Sequence, residues 1–236
     1  MIRDNINKFT TFFLDTLFPI RCLNCRAYDT WLCDACCDAL PLLTEQVCPH
    51  CKKGQTSHGQ TCPICTKESH ALDGVLVASH RDDILLKKAI HYYKYRFIEN
   101  LAVPLGKILQ NILIHNPTMP HVDMLMAVPL HPRRLRWRGF NQALSLAQEL
   151  RINAPVIQHN LVRTRNTVPQ VQMHQKNARI HNLTGAFNLS NKESVRHKSI
   201  LLVDDIMTTG TTLTLCAQTL KNAGAKNVYA LVLARD

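Results

Sequence analysis

LLVDDIMTTGTTL, residues 201–213, contains an apolar run that ends in two adjacent acids and is followed by a loop of small residues. The pattern predicts a buried strand, a tight turn and then a helix over Thr212–Ala223. Backbone amides at the start of a helix bind phosphate, and Gly210 allows the backbone to approach a ligand closely. Asp204 and Asp205 can accept hydrogen bonds from neighbouring sugar hydroxyls. The stretch therefore predicts a site for a ribose 5-phosphate.

A second unusual loop, HPRRLRWRG over residues 131–139, follows the apolar run DMLMAVPL over 123–130. Its arginines are crowded, and like charges so close repel one another unless an anion gathers them. Guanidinium groups bind phosphate oxygens bidentately, so a pyrophosphate fits this loop. Two alternatives are a solvated basic turn and a nucleic-acid patch with Trp137 and Phe140 available for stacking on bases. The anion site and the nucleic-acid patch can coexist.

Predicted strands alternate with predicted helices after residue 70. The strands are 74–80, 123–130, 199–205 and 227–235, and the helices are 84–95, 101–114, 140–150 and 212–223. This alternation predicts an α/β fold with a doubly wound, mainly parallel sheet. In such sheets ligands bind beyond the carboxyl ends of the strands, so both unusual loops should lie at one edge.

Eight of the ten cysteines form four Cys-x-x-Cys pairs before residue 66. Four thiolates satisfy tetrahedral zinc, so the spacing predicts two structural zinc sites. We expect the pairs to combine in sequential order rather than crossed, because sequential pairing closes shorter loops. The first site then takes Cys22, Cys25, Cys33 and Cys36, and the second takes Cys48, Cys51, Cys62 and Cys65.

Other residues near these pairs compete as zinc ligands. Cys37 adjoins Cys36, although Cys36 keeps the two-residue spacing. His50, His58 and His70 are further candidates, but eight thiolates already fill two sites. Closed sites of this kind are structural. The cysteine-rich segment would then present a surface to DNA or to a protein partner, or cover the sugar site.

The acid pair and the threonine-rich loop resemble the signature of type I phosphoribosyltransferases. Further residues, together with the double zinc ribbon, resemble the ComF family. These residues are His131-Pro132-Arg133-Arg134, Arg138-Gly139-Phe140-Asn141-Gln142-Ala143, Arg163, Arg165, Thr167, Pro169-Gln170, Arg179, Asn182 and Gly185-Ala186-Phe187. The resemblance covers about residues 20–235 and implies the type I phosphoribosyltransferase fold.

The resemblance implies that 5-phosphoribosyl pyrophosphate (PRPP) binds with Mg²⁺, with Asp204 and Asp205 as the catalytic pair that holds the ribose hydroxyls. The residues implied for PRPP are Pro129, Leu130, His131, Arg133, Arg134, Arg138, Asp204, Asp205, Met207, Thr208, Thr209, Gly210, Thr211 and Thr212. A flexible loop over 163–185 is expected to exclude water when it closes, unless it is a plain surface loop. Its cations are Arg163, Arg165, Lys176 and Arg179. Lys94 is a further candidate for the site.

The ComF resemblance implies a role with single-stranded DNA in natural transformation and DNA uptake, with a competence helicase or another uptake protein as partner. The net charge of +11 and the pI of about 9.3 agree with a polyanionic partner. The alternative is an active phosphoribosyltransferase of nucleotide or nucleobase metabolism with no direct DNA role. No residue identifies an acceptor, so the sequence leaves open whether transfer occurs.

Three segments are expected along the chain: an amphipathic helix over 1–20, a double zinc-ribbon domain over 21–70 and a phosphoribosyltransferase-like domain over 71–236. The N-terminus lacks the pattern of a secretory signal, and no apolar run reaches the ~18 residues of a membrane span. We therefore expect a cytoplasmic protein without a transmembrane segment, whose cysteines stay reduced.

Overall fold

The computed structural model describes residues 19–68, 70–117, 119–165 and 185–235, so the predicted helix over 1–20 falls almost entirely outside it. The strands are β1 (Gly74–His80), β2 (Met124–Ala127), β3 (Val156–Ile157), β4 (Leu161–Arg163), β5 (Phe187–Leu189), β6 (Ser199–Met207) and β7 (Asn227–Arg235). Five of them form one parallel sheet in the order β1-β7-β6-β2-β3. Strands β4 and β5 form a separate antiparallel pair.

Helices cover both faces of the sheet. They are α1 (Asp34–Asp38), α2 (Pro63–Thr66), α3 (Ile84–Tyr95), α4 (Ala102–Ile114), α5 (Pro132–Arg138), α6 (Gln142–Gln148) and α7 (Thr211–Asn222). Along β6, Leu201 and Val203 join the core under α3, α4 and α6, whereas Ile200 and Leu202 join the core under α7 and the β4–β5 pair. Because neighbouring strand residues point to opposite faces, a strand buried on both sides is apolar throughout. The doubly wound α/β fold is confirmed.

The cysteine-rich segment covers β1, the edge strand of the sheet. The Gln46 side chain takes the place of a neighbouring strand, donating to the Val77 carbonyl and accepting from the Val77 N–H at 2.9 Å each. Isolated bridges join Leu42 to Ser79 and Gln60 to Gly74 on either side of this contact. An edge strand exposes unpaired backbone groups that invite aggregation, and this covering removes them.

The prediction of a loop over 131–139 is wrong, because most of these residues form helix α5. The His131 ring accepts from the Arg133 N–H at its start, Pro132 occupies the first turn, and Gly139 ends it in the left-handed conformation at φ 82°. Proline near the start and glycine after the end favour a helix. The apolar period that predicts longer helices is absent here, since no residue of α5 is buried.

Strand ends differ from prediction where apolar runs continue into the turns. Strand β6 extends two residues further than predicted, to Met207. Of the strand predicted over 123–130, only Met124–Ala127 has strand conformation. Strands β3, β4 and β5 were not predicted, because two or three residues are too short for a periodic pattern. No described helix is both long and apolar enough to cross a membrane.

Candidate functional site

The two acids lie at the carboxyl end of β6. Asp204 Oδ1 accepts from the backbone N–H of Asp205 at 2.8 Å, and Asp205 Oδ1 accepts from the N–H of Ile206 at 2.6 Å. Helix α3 brings the Lys94 ammonium to 2.8 Å from Asp205 Oδ1, with 16% and 10% of the two side chains exposed. The cation therefore compensates one charge of the pair, and among the residues that the structure describes Asp204 has no counter-ion at this distance.

Asp204 is the acid that this arrangement makes hard to ionise. Burial, followed by the neighbouring Asp205 carboxylate, raises the pKa of Asp204 to about 8, although Lys94 lowers it. A carboxyl in this state gains most from a ligand that brings positive charge or hydroxyl donors. A sugar with two adjacent hydroxyls, bound together with a divalent cation, supplies both.

The raised pKa predicts how the stability of the ligand-free protein depends on pH. Folded Asp204 keeps its proton to about pH 8, whereas the unfolded chain releases it near 3.8, so its contribution to stability is complete below pH 3.8 and is lost as the pH rises to about 8. Asp204→Asn cannot titrate. The test measures the free energy of unfolding of both proteins in urea. Between about pH 4 and pH 8 the difference between variant and wild type should shift by ~1–3 kcal/mol in favour of the variant. A constant difference would contradict this assignment, and the exposed Asp82→Asn serves as the control.

The loop after β6 has the geometry of a phosphate cradle. Gly210 is the N-cap of α7 with φ 79°, a left-handed conformation that side chains rarely adopt, and an added Cβ would lie 2.6 Å from Met207 Cε. The hydroxyls of Thr209 and Thr211 lie 2.8 Å apart beside it. The first N–H groups of a helix have no partner within it, so the start of α7 is suited to bind an anion at this loop, although the Thr211 N–H lies 3.5 Å from Thr209 Oγ1.

Arginines from two elements lie near one another, and one of them, Arg163, is near Asp204. Burial lowers the pKa of Arg134 on α5, and the charge of Arg138 lowers it further. Burial also lowers the pKa of Arg163 on β4, with Arg134 adding to the effect and Asp204 opposing it. Half-buried like charges that depress one another are stabilised by a multivalent anion. The position fits a pyrophosphate next to the acid pair.

Gln142 is a residue of the site whose role sequence reasoning missed. It is 1% exposed at the start of α6, and its Oε1 accepts from Arg138 Nη1 at 2.7 Å. Its carbonyl accepts from the hydroxyl of buried Tyr93 at 2.9 Å. Arg138 is thus held from behind, which reduces the entropy lost when its guanidinium binds an anion. The signal available in the sequence was a glutamine three residues after the end of the arginine-rich run.

The remaining predicted site residues differ in their exposure. Pro129 and Met207 are buried, whereas Leu130, His131, Thr208 and Thr212 are partly exposed. Arg133 and Arg165 are exposed, and Lys176 and Arg179 lie outside the described residues.

The structure contradicts the role suggested for Phe140 as a stacking residue. Its side chain is 8% exposed, and its ring packs against Tyr93 with the centroids 5.3 Å apart. Trp137, the other residue of that alternative, is 62% exposed. The difference arises because Gly139 reverses the chain direction between the two residues, so that only one of them reaches the core.

The cysteines form two groups of four, in the predicted sequential order. In each group the four sulfur atoms lie within 4.8 Å of one another, and the groups are Cys22, Cys25, Cys33 and Cys36, and Cys48, Cys51, Cys62 and Cys65. Four thiolates at such distances fit a structural zinc ion. None of the three histidines joins a group among the described residues.

The surroundings of the first cysteine in each group favour its thiolate form. Burial raises the pKa of Cys48, but the backbone N–H groups of Cys62, Cys51 and His50 outweigh it and lower the pKa to about 6. The equivalent contacts lower the pKa of Cys22 to about 6. Amides that donate to a ligating sulfur stabilise its charge and its orientation.

Cys37, the competing ligand, lies outside the first group. Its sulfur contacts the Pro104 carbonyl oxygen at 3.3 Å beneath α4, and burial raises its pKa to about 11. A buried thiol of this kind is a packing residue.

Comparison with known proteins agrees with this architecture. A phosphoribosyl transferase domain matches residues 137–236. The chain is 27% identical over 229 residues to competence protein F of Haemophilus influenzae, and this alignment covers 92% of this chain and 98% of that protein. It is 30% identical over 228 residues to DNA utilization protein YhgH of Escherichia coli, covering 92% and 97% respectively. It is 29% identical over 212 residues to competence protein ComFC of Streptococcus pneumoniae, covering 89% and 90%.

Proposed function

Because the chain belongs to the ComF family, with competence protein F, ComFC and YhgH as relatives, we propose that it is a phosphoribosyltransferase-like protein that binds Mg-PRPP and handles single-stranded DNA during DNA uptake. The family architecture is a double zinc ribbon followed by a type I phosphoribosyltransferase domain. Eight thiolate ligands require a reducing compartment, which supports a cytoplasmic location.

One observation carries the PRPP half of the proposal: acids, phosphate loop and arginines lie at the ends of adjacent parallel strands. Strand β6 leads to Asp204 and Asp205, and its neighbour β2 leads to α5 with Arg134 and Arg138. Ligands of doubly wound sheets bind at this edge. A ligand with a phosphate at one end, a pyrophosphate at the other and ribose hydroxyls between them matches the three groups of side chains.

Each part of the site then has a stated task. The amides at the start of α7 and the hydroxyls of Thr209 and Thr211 bind the 5-phosphate. Asp204 and Asp205 accept hydrogen bonds from the ribose hydroxyls, and Mg²⁺ takes oxygens mainly from the ligand and from water. Arg134, Arg138 and Arg163 bind the pyrophosphate, so charge developing on the leaving group meets fixed cations. Holding both ends of the donor orients the sugar carbon between them.

The DNA half of the proposal rests on the relatives and on charge. One relative carries the name DNA utilization protein, and two are named as competence proteins. The chain carries a net charge of +11, which favours a polyanionic partner. A competence helicase or another uptake protein would receive or deliver the strand.

Calorimetric titration of the zinc-loaded protein with PRPP, with and without Mg²⁺, tests the proposed site. We expect saturable binding with one PRPP per chain that requires Mg²⁺. Arg134→Gln should weaken it by about tenfold, because one charge-assisted contact to the pyrophosphate is lost. The control is Arg196→Gln, which removes an exposed arginine that forms an ion pair with Glu193 at 3.7 Å.

Two outcomes would change the proposal. The absence of binding at millimolar PRPP would rule out the proposed donor site. The proposed DNA role would then rest on the net charge and the zinc ribbons alone. Binding of PRPP and turnover with a nucleobase, but no interaction with DNA, would favour the alternative, an enzyme of nucleotide or nucleobase metabolism.

A further inference from the structure

Two exposed aromatic rings contact each other next to Arg138, and a third exposed ring contacts Arg138 itself. Tyr95, Phe97 and Trp137 are 52%, 39% and 62% exposed, and they come from the end of α3, the turn after it and α5. The rings of Phe97 and Trp137 meet edge to face with their centroids 5.0 Å apart. The Arg138 guanidinium lies 5.9 Å from the centroid of the Tyr95 ring. We call these three residues the aromatic platform.

The backbone of Phe97 is held in an unfavourable conformation. Its φ is +57°, in the left-handed region that bulky side chains avoid at a cost of about 1–2 kcal/mol. A glycine or an asparagine would relieve this strain, and burial of the ring does not offset it, because 39% of the side chain is exposed. Backbone strain is often found at functional sites, so the conformation of Phe97 supports a role for its exposed ring but does not establish one.

Three exposed arginines lie close to the platform residues in the chain. Arg96 lies between Tyr95 and Phe97 in the chain, and Arg133 and Arg136 lie one turn and one residue before Trp137 on α5. Within the described residues, none of these three guanidinium groups has an ion-pair partner. The nearest acid along the chain, Glu99, accepts a hydrogen bond from Ser145 at 2.9 Å. Unpaired cations around exposed rings favour a polyanion with flat, apolar faces.

We propose that the aromatic platform binds single-stranded DNA by stacking on its bases, while Arg96, Arg133 and Arg136 contact its phosphates. Base stacking on aromatic rings with a basic surround is how proteins bind single strands without sequence preference. A duplex keeps its base faces stacked internally, so the platform selects unpaired DNA. This inference rests on the proposed function and assigns a surface to its DNA half.

The platform and the PRPP site are neighbours that share one residue. Arg138 contacts Tyr95 of the platform and, on the same side of α5 as Arg134, belongs to the anion site. Trp137 and Phe97 belong to the platform alone. Substitution of Trp137 therefore separates the two activities: DNA binding is lost and Mg-PRPP binding is kept.

Fluorescence anisotropy with a labelled (dT)20 oligonucleotide tests the platform. We expect Trp137→Ala to weaken binding by about tenfold or more, and Trp137→Phe to keep most of it, because a ring is retained. The slope of affinity against salt should stay unchanged in Trp137→Ala and should fall by about one in Arg136→Gln. The matched control is Tyr28→Ala, since Tyr28 is 59% exposed and has Arg21 4.2 Å over its ring, but lies in the first ribbon.

A direct readout of stacking accompanies the variants. Trp31 and Trp137 are the two tryptophans of the chain, so a Trp31→Phe protein reports on Trp137 alone. Addition of (dT)20 should quench its fluorescence, and this signal decides the matter even if Trp137→Ala folds poorly.

Three results would overturn the platform. These are no binding of (dT)20 by the wild type, equal affinity of Trp137→Ala and Tyr28→Ala, and binding without quenching of Trp137. The last two would indicate that a protein partner covers these rings. Each is distinguishable from failure of the PRPP site, which appears as lost Mg-PRPP binding in the wild type.

Discussion

Replacing Asp204 and Asp205 together by asparagine is expected to weaken Mg-PRPP binding by at least about 100-fold in calorimetric titration. Each carboxylate accepts a charge-assisted hydrogen bond worth about 1.5–3 kcal/mol, and two such losses correspond to a factor of this size. An amide has the shape of a carboxylate but half its acceptor capacity and no charge. The double variant removes the repulsion between the acids but also the partner of the Lys94 ammonium, so circular dichroism and urea unfolding must show that the variant is folded before affinities are compared.

The chain contains a matched control for this experiment. Asp82 and Asp83 are also adjacent acids at the carboxyl end of a parallel strand, β1, and they precede helix α3. Asp83 Oδ1 caps that helix by accepting from the Leu86 N–H at 2.8 Å, a task that asparagine performs equally well. The control double variant removes the same charge from the same edge of the sheet and should keep wild-type affinity. Equal affinity in both double variants would refute the assignment of the acid pair.

Loss of a zinc site is expected to have the second large effect. Structural zinc contributes about 10–16 kcal/mol of apparent binding free energy to small domains, so Cys48→Ala should unfold the second ribbon. That ribbon includes Gln46, whose side chain pairs with Val77 on the edge strand. The variant should therefore contain one zinc per chain by elemental analysis and should aggregate when heated, because β1 loses its cover.

Two further variants make the zinc experiment decisive. Cys37→Ser changes a cysteine adjacent to Cys36 that lies outside the group, and should keep two zinc ions per chain. Cys22→Ala combined with Cys48→Ala should keep none if the pairs combine in sequence, because each substitution disables a different site. If the pairs were crossed, both changes would fall in one site and one zinc would remain. A measured stoichiometry of one would thus contradict the observed grouping.

Much of the site was predictable because its chemistry is local in the chain. The acid pair, the phosphate loop and the start of α7 occupy consecutive residues, and a strand, turn and helix in that order place them at one edge. The zinc ligands were predictable for a similar reason, since each pair is separated by two residues and sequential pairing closes the shortest loops. The N-terminal helix and the loop cations Lys176 and Arg179 stay predictions, because they lie outside the described residues.

The parts that escaped prediction depend on contacts between residues far apart in the chain. Lys94 was a candidate for the site, but its partner was not predicted. Asp205 lies more than a hundred residues away, and only the packing of α3 against the sheet brings the two charges to 2.8 Å. Phe140 and Trp137 are three residues apart with similar side chains, yet one is 8% and the other 62% exposed. Periodicity could not distinguish them, because a short helix with a glycine after it has no repeating apolar face.

By itself, the sequence determined the α/β class, the two groups of four cysteines, and the acid pair that a turn and a helix follow, since each depends on the spacing of neighbouring residues. The tertiary structure alone decided which lysine compensates the acids, which arginines face the anion site and which aromatic rings remain at the surface. The physical reason is that burial and Coulomb interactions act through space. They set the pKa of Asp204 and the exposure of Trp137 according to what the fold packs beside them, whatever the distance along the chain.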